Sequence, residues 1–204
     1  MCIRDSADTV AAMGADALGL IFYPPSPRFV NYEAAAVIAR RVPVFTSVVG
    51  VFVNPTGDEV SQVIQTVNVS VLQFHGEESD KFCSSFGLPY IKALQIGYDT
   101  PMIDFHKTYP GACAVLLDTY DEALYGGTGR VFPWKRGREI KGLPVILAGG
   151  LTERNVAQAI SASGACAVDV SSGVEISPGK KDAEKIKYFA RAVVQYDAGA
   201  MGLA

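Results

Sequence analysis

The sequence alternates seven apolar runs of strand length with segments that carry a helical pattern of apolar residues. The runs cover residues 17–23, 46–54, 70–76, 90–95, 112–119, 144–148 and 166–170. Strands that are apolar on both faces are typical of a parallel sheet with helices on its outer side. Such a sheet belongs to the α/β fold class, as a doubly wound open sheet or as a (β/α)8 barrel. The alternation therefore predicts a parallel sheet, but it does not decide whether the sheet is open or closes into a barrel.

Two turns of small residues directly follow the last two runs, and they favour the barrel. Gly149 and Gly150 end one run, and Ser171, Ser172 and Gly173 follow the other. Glycine lets a backbone approach a ligand closely, and the N–H groups at a helix start attract an anion. Barrels of this class often bind phosphate at their last two strands, so we predict a phosphate site here. Ordinary turns without a ligand are the alternative.

Polar residues at other strand ends are candidates for chemistry. Asp118 ends an apolar run, and partial burial is expected to raise its pKa toward that of a general acid. Arg28 lies in a proline-rich loop, from which a guanidinium can bind a carboxylate or phosphate through two hydrogen bonds. Gln73 and His75 lie on the same side of one strand, and Asp169 lies in the last strand. In a barrel these strand ends converge on one site, although each residue also has a purely structural alternative.

Length and composition predict a single domain over residues 1–204. The chain has 204 residues, 49% of them hydrophobic, which is enough to bury a full core. Its net charge of −3 comes from intermixed acidic and basic residues, a pattern that favours neither nucleic acid nor an anionic membrane as partner. No apolar run reaches the length of a membrane span, and we expect a cytoplasmic protein. Cys83, Cys113 and Cys166 lack metal-ligand spacing, so we expect reduced, buried thiols and no metal.

The strand ends together resemble the phosphoribosylanthranilate isomerase family. The resemblance is carried, in order and at the family's spacing, by segments 14–23, 26–28, 50–54, 72–77, 117–119, 125–129, 147–151, 168–175 and 178–182. It implies a TIM (β/α)8 barrel that converts N-(5-phosphoribosyl)anthranilate into 1-(2-carboxyphenylamino)-1-deoxyribulose 5-phosphate in tryptophan biosynthesis. This Amadori rearrangement needs no cofactor. The implied partner is a small-molecule substrate, and we expect a monomer or a homodimer.

The resemblance also implies roles for individual residues. Asp118 corresponds to the general acid that protonates the furanose ring oxygen, and Arg28 corresponds to the residue that faces the anthranilate carboxylate. Gln73, His75 and Asp169 correspond to residues that line the site. The two turns correspond to the family's phosphate site, and their residues are Gly149, Gly150, Ser171, Ser172 and Gly173.

The N-terminus departs from the family pattern. The family begins with a strand that ends in Lys-Ile-Cys-Gly-Ile-Thr, and its cysteine is the general base that removes the C2 proton of the sugar. Cys2 and Ile3 echo this motif, but the glycine, the preceding apolar residues and the full spacing to Gly14 are absent. We therefore expect residues 1–6 to be foreign, the first strand to be missing, and the base to be Cys2 or lost. On this hypothesis the chain is poorly stable and nearly inactive.

Two other functions stay open at this point. A related phosphosugar barrel enzyme would pair two strand-end acids, or a catalytic lysine with a glutamate. Lys92 is the only lysine inside a predicted strand, and no glutamate ends that strand. A non-catalytic barrel would keep the phosphate turns without a base, and turnover of phosphoribosylanthranilate would distinguish it from the enzyme.

Overall fold

The protein is a curled parallel sheet with helices on its outer side, in a computed structural model that describes residues 9–10, 13–97, 101–119, 134–200 and 202. The strands are β1 (Ala17–Ile21), β2 (Ser47–Phe52), β3 (Val71–Phe74), β4 (Tyr90–Ile96), β5 (Ala114–Thr119), β6 (Val145–Ala148) and β7 (Ala167–Val168). They pair in chain order, and every pair is parallel. A doubly wound sheet reverses its strand order at a switch point, and this sheet never does. The predicted barrel class is confirmed.

Six helices follow the strands, and two of them begin with the caps that the sequence predicts. The helices are α1 (Tyr32–Ala39), α2 (Gly57–Thr66), α3 (Asp80–Cys83), α4 (Phe105–Thr108), α5 (Val156–Ser163) and α6 (Ala183–Ala200) in the described ranges. The Asn31 side chain accepts from the Ala34 N–H at 2.9 Å. Thr56 and Glu59 form a capping box at the start of α2. Such caps satisfy N–H groups that have no partner within the helix.

Side chains alternate across the sheet into one inner cluster and two outer clusters. The inner cluster fills the barrel interior with Ile91, Ala93, Ala114, Leu116 and Ala148, beside Val71 and Ile146. One outer cluster packs helices on β1 to β3 through stacked rings of Phe22, Phe52 and Phe74. The other covers β4 to β7 through residues that include Leu117 and Leu147. Both faces of the sheet are therefore buried, as the apolar runs predicted.

Several predicted boundaries are corrected by the structure. β7 is shorter than the run 166–170 because the chain turns away into a 3-10 helix at Ser172–Val174. α5 begins at Val156 rather than at residue 152, since the Thr152 N–H binds the Asn155 side chain in a turn. An antiparallel hairpin of β8 (Glu175–Ser177) and β9 (Lys180–Lys181) precedes α6 and was not predicted.

The cysteine prediction is correct for Cys83 and wrong for the other two. Cys83 is buried, whereas Cys113 and Cys166 are exposed. These two residues directly precede β5 and β7, at the amino ends of the strands. All three thiols are free, in accord with the expected reduced state.

The edges of the described sheet are β1 and β7. Residues 1–6, including Cys2, lie outside the described residues, so the hypothesis of a foreign segment and a missing first strand stays a prediction. Within the described ranges, no helix combines the length and the apolar character needed to cross a membrane.

Candidate active site

A layer of polar side chains lies directly above the inner cluster, at the carboxyl ends of three neighbouring strands. Gln73, Gln95 and Asp118 each follow an inner-cluster residue of β3, β4 and β5 by two positions. Because side chains alternate between the two faces of a strand, all three face the barrel axis. The register pairs Asp118 with Gln95 on one side and with Ala148 on the other. The barrel mouth is therefore polar where the interior below it is apolar.

Asp118, the predicted general acid, is half-buried near the end of β5. The raised pKa expected for its carboxyl stays a prediction. Gln95 is its neighbour in the register and was missed by the sequence analysis. Its spacing of two from Ala93 was the signal that it shares the inner face of β4. Gln95 thus joins the candidate residues of the site.

Gln73 and His75 lie on the same side of the chain, as their spacing predicts. Gln73 Nε2 and His75 Nε2 are 2.7 Å apart. With the amide donating, the ring accepts at Nε2 and is neutral. Burial lowers the pKa of His75 to about 4, and the charge of Lys92 also lowers it while that of Glu78 raises it. His75 is therefore a neutral hydrogen-bonding group at neutral pH.

Arg28 is held by Glu175, which lies 147 positions later in the chain. Arg28 Nε donates to Oε1 at 2.9 Å, and Nη2 donates to Oε2 at 2.7 Å. Lys181 Nζ donates to the same carboxylate at 3.1 Å. Burial raises the pKa of Glu175, but hydrogen bonds from Arg28 and Lys181 outweigh burial and hold that pKa below its ordinary value. Glu175 belongs to the family-like segment 168–175, although the sequence analysis gave it no role.

The two predicted phosphate turns touch each other. Gly149 and Gly150 have φ angles of +84° and +61°, in the left-handed region that favours glycine. A Cβ on Gly173 would lie 1.8 Å from the carbonyl oxygen of Leu151, the residue after that glycine pair. Glycine at this position therefore lets the turns approach. Ser171 O accepts from Lys181 Nζ at 2.9 Å, which ties the second turn to the Arg28–Glu175 pair.

Asp169 directly follows β7 and extends its ladder, since its N–H donates to Leu147 O at 2.8 Å. Asp169 is an exposed residue. Protein atoms around its carboxyl raise the pKa of that group by partial desolvation, while the charge of Lys181 and the Val170 N–H lower it. These contacts suit a residue that positions its neighbours.

Lys92 has a glutamate partner, but that glutamate follows β3 and does not end the strand of Lys92. Its Nζ lies 2.9 Å from Glu78 Oε2. The pair lies on the outer side of the sheet, because Lys92 alternates with the inner residues Ile91 and Ala93. It therefore does not form a lysine–glutamate site at the barrel mouth.

Two candidate features lie outside the described residues: Cys2 and the glycine-rich segment 125–129. In the part of the chain that the structure describes, no group of three or more His, Cys, Asp or Glu residues is arranged to hold a metal ion.

Comparisons with known proteins show which proteins this chain is similar to. The family model described as N-(5'phosphoribosyl)anthranilate (PRA) isomerase matches residues 2–192. The N-(5'-phosphoribosyl)anthranilate isomerase of Hahella chejuensis is 48% identical over 185 residues, which cover 91% of this chain and 87% of that protein. The crystal structure of phosphoribosyl anthranilate isomerase from Thermotoga maritima is 34% identical, with a TM-score of 0.84 over 96% of each chain. A crystal structure of the isomerase in complex with reduced 1-(o-carboxyphenylamino)-1-deoxyribulose 5-phosphate is 33% identical, with a TM-score of 0.79 over 94% of each chain.

Proposed function

The chain belongs to the N-(5'-phosphoribosyl)anthranilate isomerase family, and we propose that its barrel mouth carries out an Amadori rearrangement of phosphoribosylanthranilate. It is an isomerase of tryptophan biosynthesis. The product is 1-(2-carboxyphenylamino)-1-deoxyribulose 5-phosphate. The observation that carries the proposed site is the contact between the two small-residue turns, beside a polar layer that contains Asp118.

The two ends of the substrate carry negative charge, and two parts of the mouth suit them. The phosphate is assigned to the backbone N–H groups of the turns at Gly149–Gly150 and 171–173, where backbone can approach an anion closely. The anthranilate carboxylate is assigned to Arg28. Glu175 occupies the edge of the Arg28 guanidinium that is formed by Nε and Nη2. Among the described residues, none accepts a hydrogen bond from Nη1. Glu175 therefore orients the guanidinium and leaves Nη1 for the substrate.

Asp118 is assigned the acid step. Its carboxyl gives a proton to the furanose ring oxygen as the C1–O bond breaks, and the anilino nitrogen forms a C1=N bond with its lone pair. Removal of the C2 proton then moves the electron pair of the C2–H bond into a C1=C2 bond, and the C1=N electrons return to the nitrogen, which becomes neutral. The resulting enol tautomerises to the ketone at C2. Gln73, His75 and Asp169 line this path, and Gln95 joins them beside Asp118.

The base for the C2 proton is assigned to Cys2 or is lost, as the sequence analysis expects. Proton removal needs a base held at about 3 Å, so the identity of residues near C2 decides the rate of this step. The Cys2→Ser variant tests the assignment: a large loss of turnover supports Cys2, and unchanged turnover removes it from the mechanism.

The test of the function is turnover of phosphoribosylanthranilate by the purified chain, by the same chain with residues 1–6 replaced by the family-like segment Val-Lys-Ile-Cys-Gly-Ile-Thr, and by Asp118→Asn in the replaced chain. Asparagine keeps the shape of the side chain but has no acidic proton, so kcat is expected to fall about 10²- to 10⁴-fold. The exposed Asp58, in the first turn of α2, offers a matched Asp58→Asn control that leaves kcat unchanged. Activity of Asp118→Asn within about threefold of the parent would remove Asp118 from the acid step. Binding of the substrate without turnover would instead favour a non-catalytic barrel.

The assembly and location of the enzyme are part of the same proposal. A monomer or homodimer is expected, and light scattering of the purified chain distinguishes the two. Cell fractionation tests the expected cytoplasmic location.

A further inference from the structure

Lys92 lies in the middle of a strand, and its ammonium group is buried. Its side chain is 1% exposed, and that of its partner Glu78 is 3% exposed. The ammonium has three acceptors: Phe74 O at 3.2 Å, Gly76 O at 2.6 Å and Glu78 Oε2 at 2.9 Å. The ring of Tyr109 lies 5.6 Å from Nζ. Burial of a charge is costly without a full set of partners, and Lys92 has an acceptor for each of its donors.

Glu78 joins this site to the loop after β2. Its Oε1 accepts from the N–H groups of Asn54 at 2.7 Å and Gly76 at 3.1 Å. The side chain of Asn54 in turn accepts from the Glu77 N–H at 2.7 Å. A Cβ at position 76 would lie 2.2 Å from Asn54 Oδ1, so the loops after β2 and β3 can meet here because residue 76 is glycine. One carboxylate thus binds both loops and the lysine.

The network encloses the backbone of His75. The two carbonyl groups that bind Lys92 belong to the residues on either side of His75. The N–H of His75 donates to Phe52 O at 2.9 Å, which fixes its backbone from β2. The His75 ring lies on the other side of this turn, 2.7 Å from Gln73. The backbone is therefore held from the outer side of the sheet, and the ring faces the candidate active site.

A buried ion pair is not required to hold these elements together. Apolar residues of similar volume often replace such a pair with no loss of stability, or with a gain. The outer faces of β3 and β4 already pack apolar rings, such as Phe74 and Tyr90, around this position. The pair does orient the backbone, because its hydrogen bonds end on backbone groups on either side of His75.

We propose that Lys92 and Glu78 are positioning residues of the active site, which hold the turn that carries His75 and so keep its ring against Gln73. This inference rests on the proposed function only in assigning His75 to the substrate site. The two charges also act on the ring through space. After burial, the charges of Lys92 and Glu78 are the next influences on the pKa of His75, and they act in opposite directions.

The test compares the parent with the double variant Lys92→Met/Glu78→Gln. Methionine keeps the length of Lys92, and the glutamine Oε1 can still accept from the N–H groups of Asn54 and Gly76. Neither charge is then left unpaired in the interior. The chain has only two histidines, so imidazole NMR signals report on His75 directly, with the exposed His106 as an internal reference. Val63→Ala, a buried change in α2 away from the network, controls for a general loss of stability.

The double variant is expected to shift or broaden the His75 signals and to raise the midpoint of their pH titration from about 4, because Lys92 has the larger influence of the two charges. Its kcat/KM is expected to fall about 10- to 100-fold, the effect of a misplaced group, while Val63→Ala leaves both readouts unchanged. Unchanged His75 signals and unchanged kcat/KM would show that the pair is only structural. If the double variant does not fold, Glu78→Gln alone is measured in the same two ways, and the midpoint of the His75 titration is then expected to fall, because only the charge that raises it is removed. Because the NMR readout needs no turnover, it tests the positioning even if the proposed function fails.

Discussion

The ion pair between Arg28 and Glu175 defines how a substrate carboxylate can approach the guanidinium. Arg28→Ala is expected to raise KM for phosphoribosylanthranilate about 10- to 100-fold, which is the loss of a charged hydrogen bond. Because the clamp binds ground state and transition state alike, kcat should change far less. Steady-state kinetics measure the two constants, with Arg40→Ala on the exposed end of α1 as the control. A fall in kcat at constant KM would contradict the clamp.

His75 makes the stability of the fold depend on pH. Its pKa is about 4 in the folded chain, below the ordinary value near 6.5, so the unfolded chain binds more protons between these values. The contribution of His75 to stability is therefore complete above about pH 6.5 and is lost as the pH falls toward 4. Between pH 7 and pH 4.5, the parent should lose about 2–3 kcal/mol more unfolding free energy than His75→Gln. Denaturant unfolding at both pH values measures this difference, and parallel losses would refute it.

The candidate side chains at strand ends could be predicted because each lies in its strand or directly after it. Asp118 ends an apolar run, and Gln73 and His75 share one side by a spacing of two. Glu175 could not be predicted as the partner of Arg28, since the pair is separated by 147 residues and only the fold brings them together. Glu78 was missed for a similar reason: its lysine lies on the next strand, on the face opposite the site.

At the scale of elements, the approach of the two turns depends on Gly173. A side chain there would meet the carbonyl oxygen of Leu151, so Gly173→Ala should reduce the unfolding free energy by about 2 kcal/mol or more. It should also weaken the stabilisation of the fold by inorganic phosphate, since the turns would move apart. Gly57→Ala is the matched control, because a Cβ at Gly57 meets nothing within 4 Å. Thermal unfolding with and without phosphate measures both effects, and equal behaviour of the two variants would disprove the close approach.

The elements that the sequence predicted best are those with a complete local signal. β1 to β6 carry apolar residues on both faces, and the caps at Asn31 and Thr56 are formed by nearby residues. The hairpin of β8 and β9 lacks such a signal, because Glu175 to Lys181 is mostly polar and the hairpin is held by the ion pair of Glu175 with the distant Arg28. β7 is short for a related reason: the chain leaves the sheet to form the turn at Ser171.

At the scale of the whole molecule, the barrel class was predicted from the small-residue turns after the last two strands and from polar residues at strand ends, and the strand order of the structure agrees with it. Consecutive parallel strands bring all their carboxyl ends to one face, so candidate residues far apart in sequence converge there. The inner cluster closes the candidate site from below, since it fills the barrel interior directly under Gln73, Gln95 and Asp118. Sequence patterns predict this convergence, but they do not give the contacts between loops.

The central claim is that this barrel mouth binds phosphoribosylanthranilate with the phosphate at the two turns and the carboxylate at Arg28. A crystal structure of the chain with reduced 1-(o-carboxyphenylamino)-1-deoxyribulose 5-phosphate tests it most directly. The phosphate should accept from backbone N–H groups of both turns, and the carboxylate should lie about 3 Å from Arg28 Nη1. Asp118 should lie about 3 Å from the oxygen that belonged to the furanose ring. A phosphate bound away from both turns, or an Asp118 carboxyl out of hydrogen-bonding reach of that oxygen, would contradict the claim.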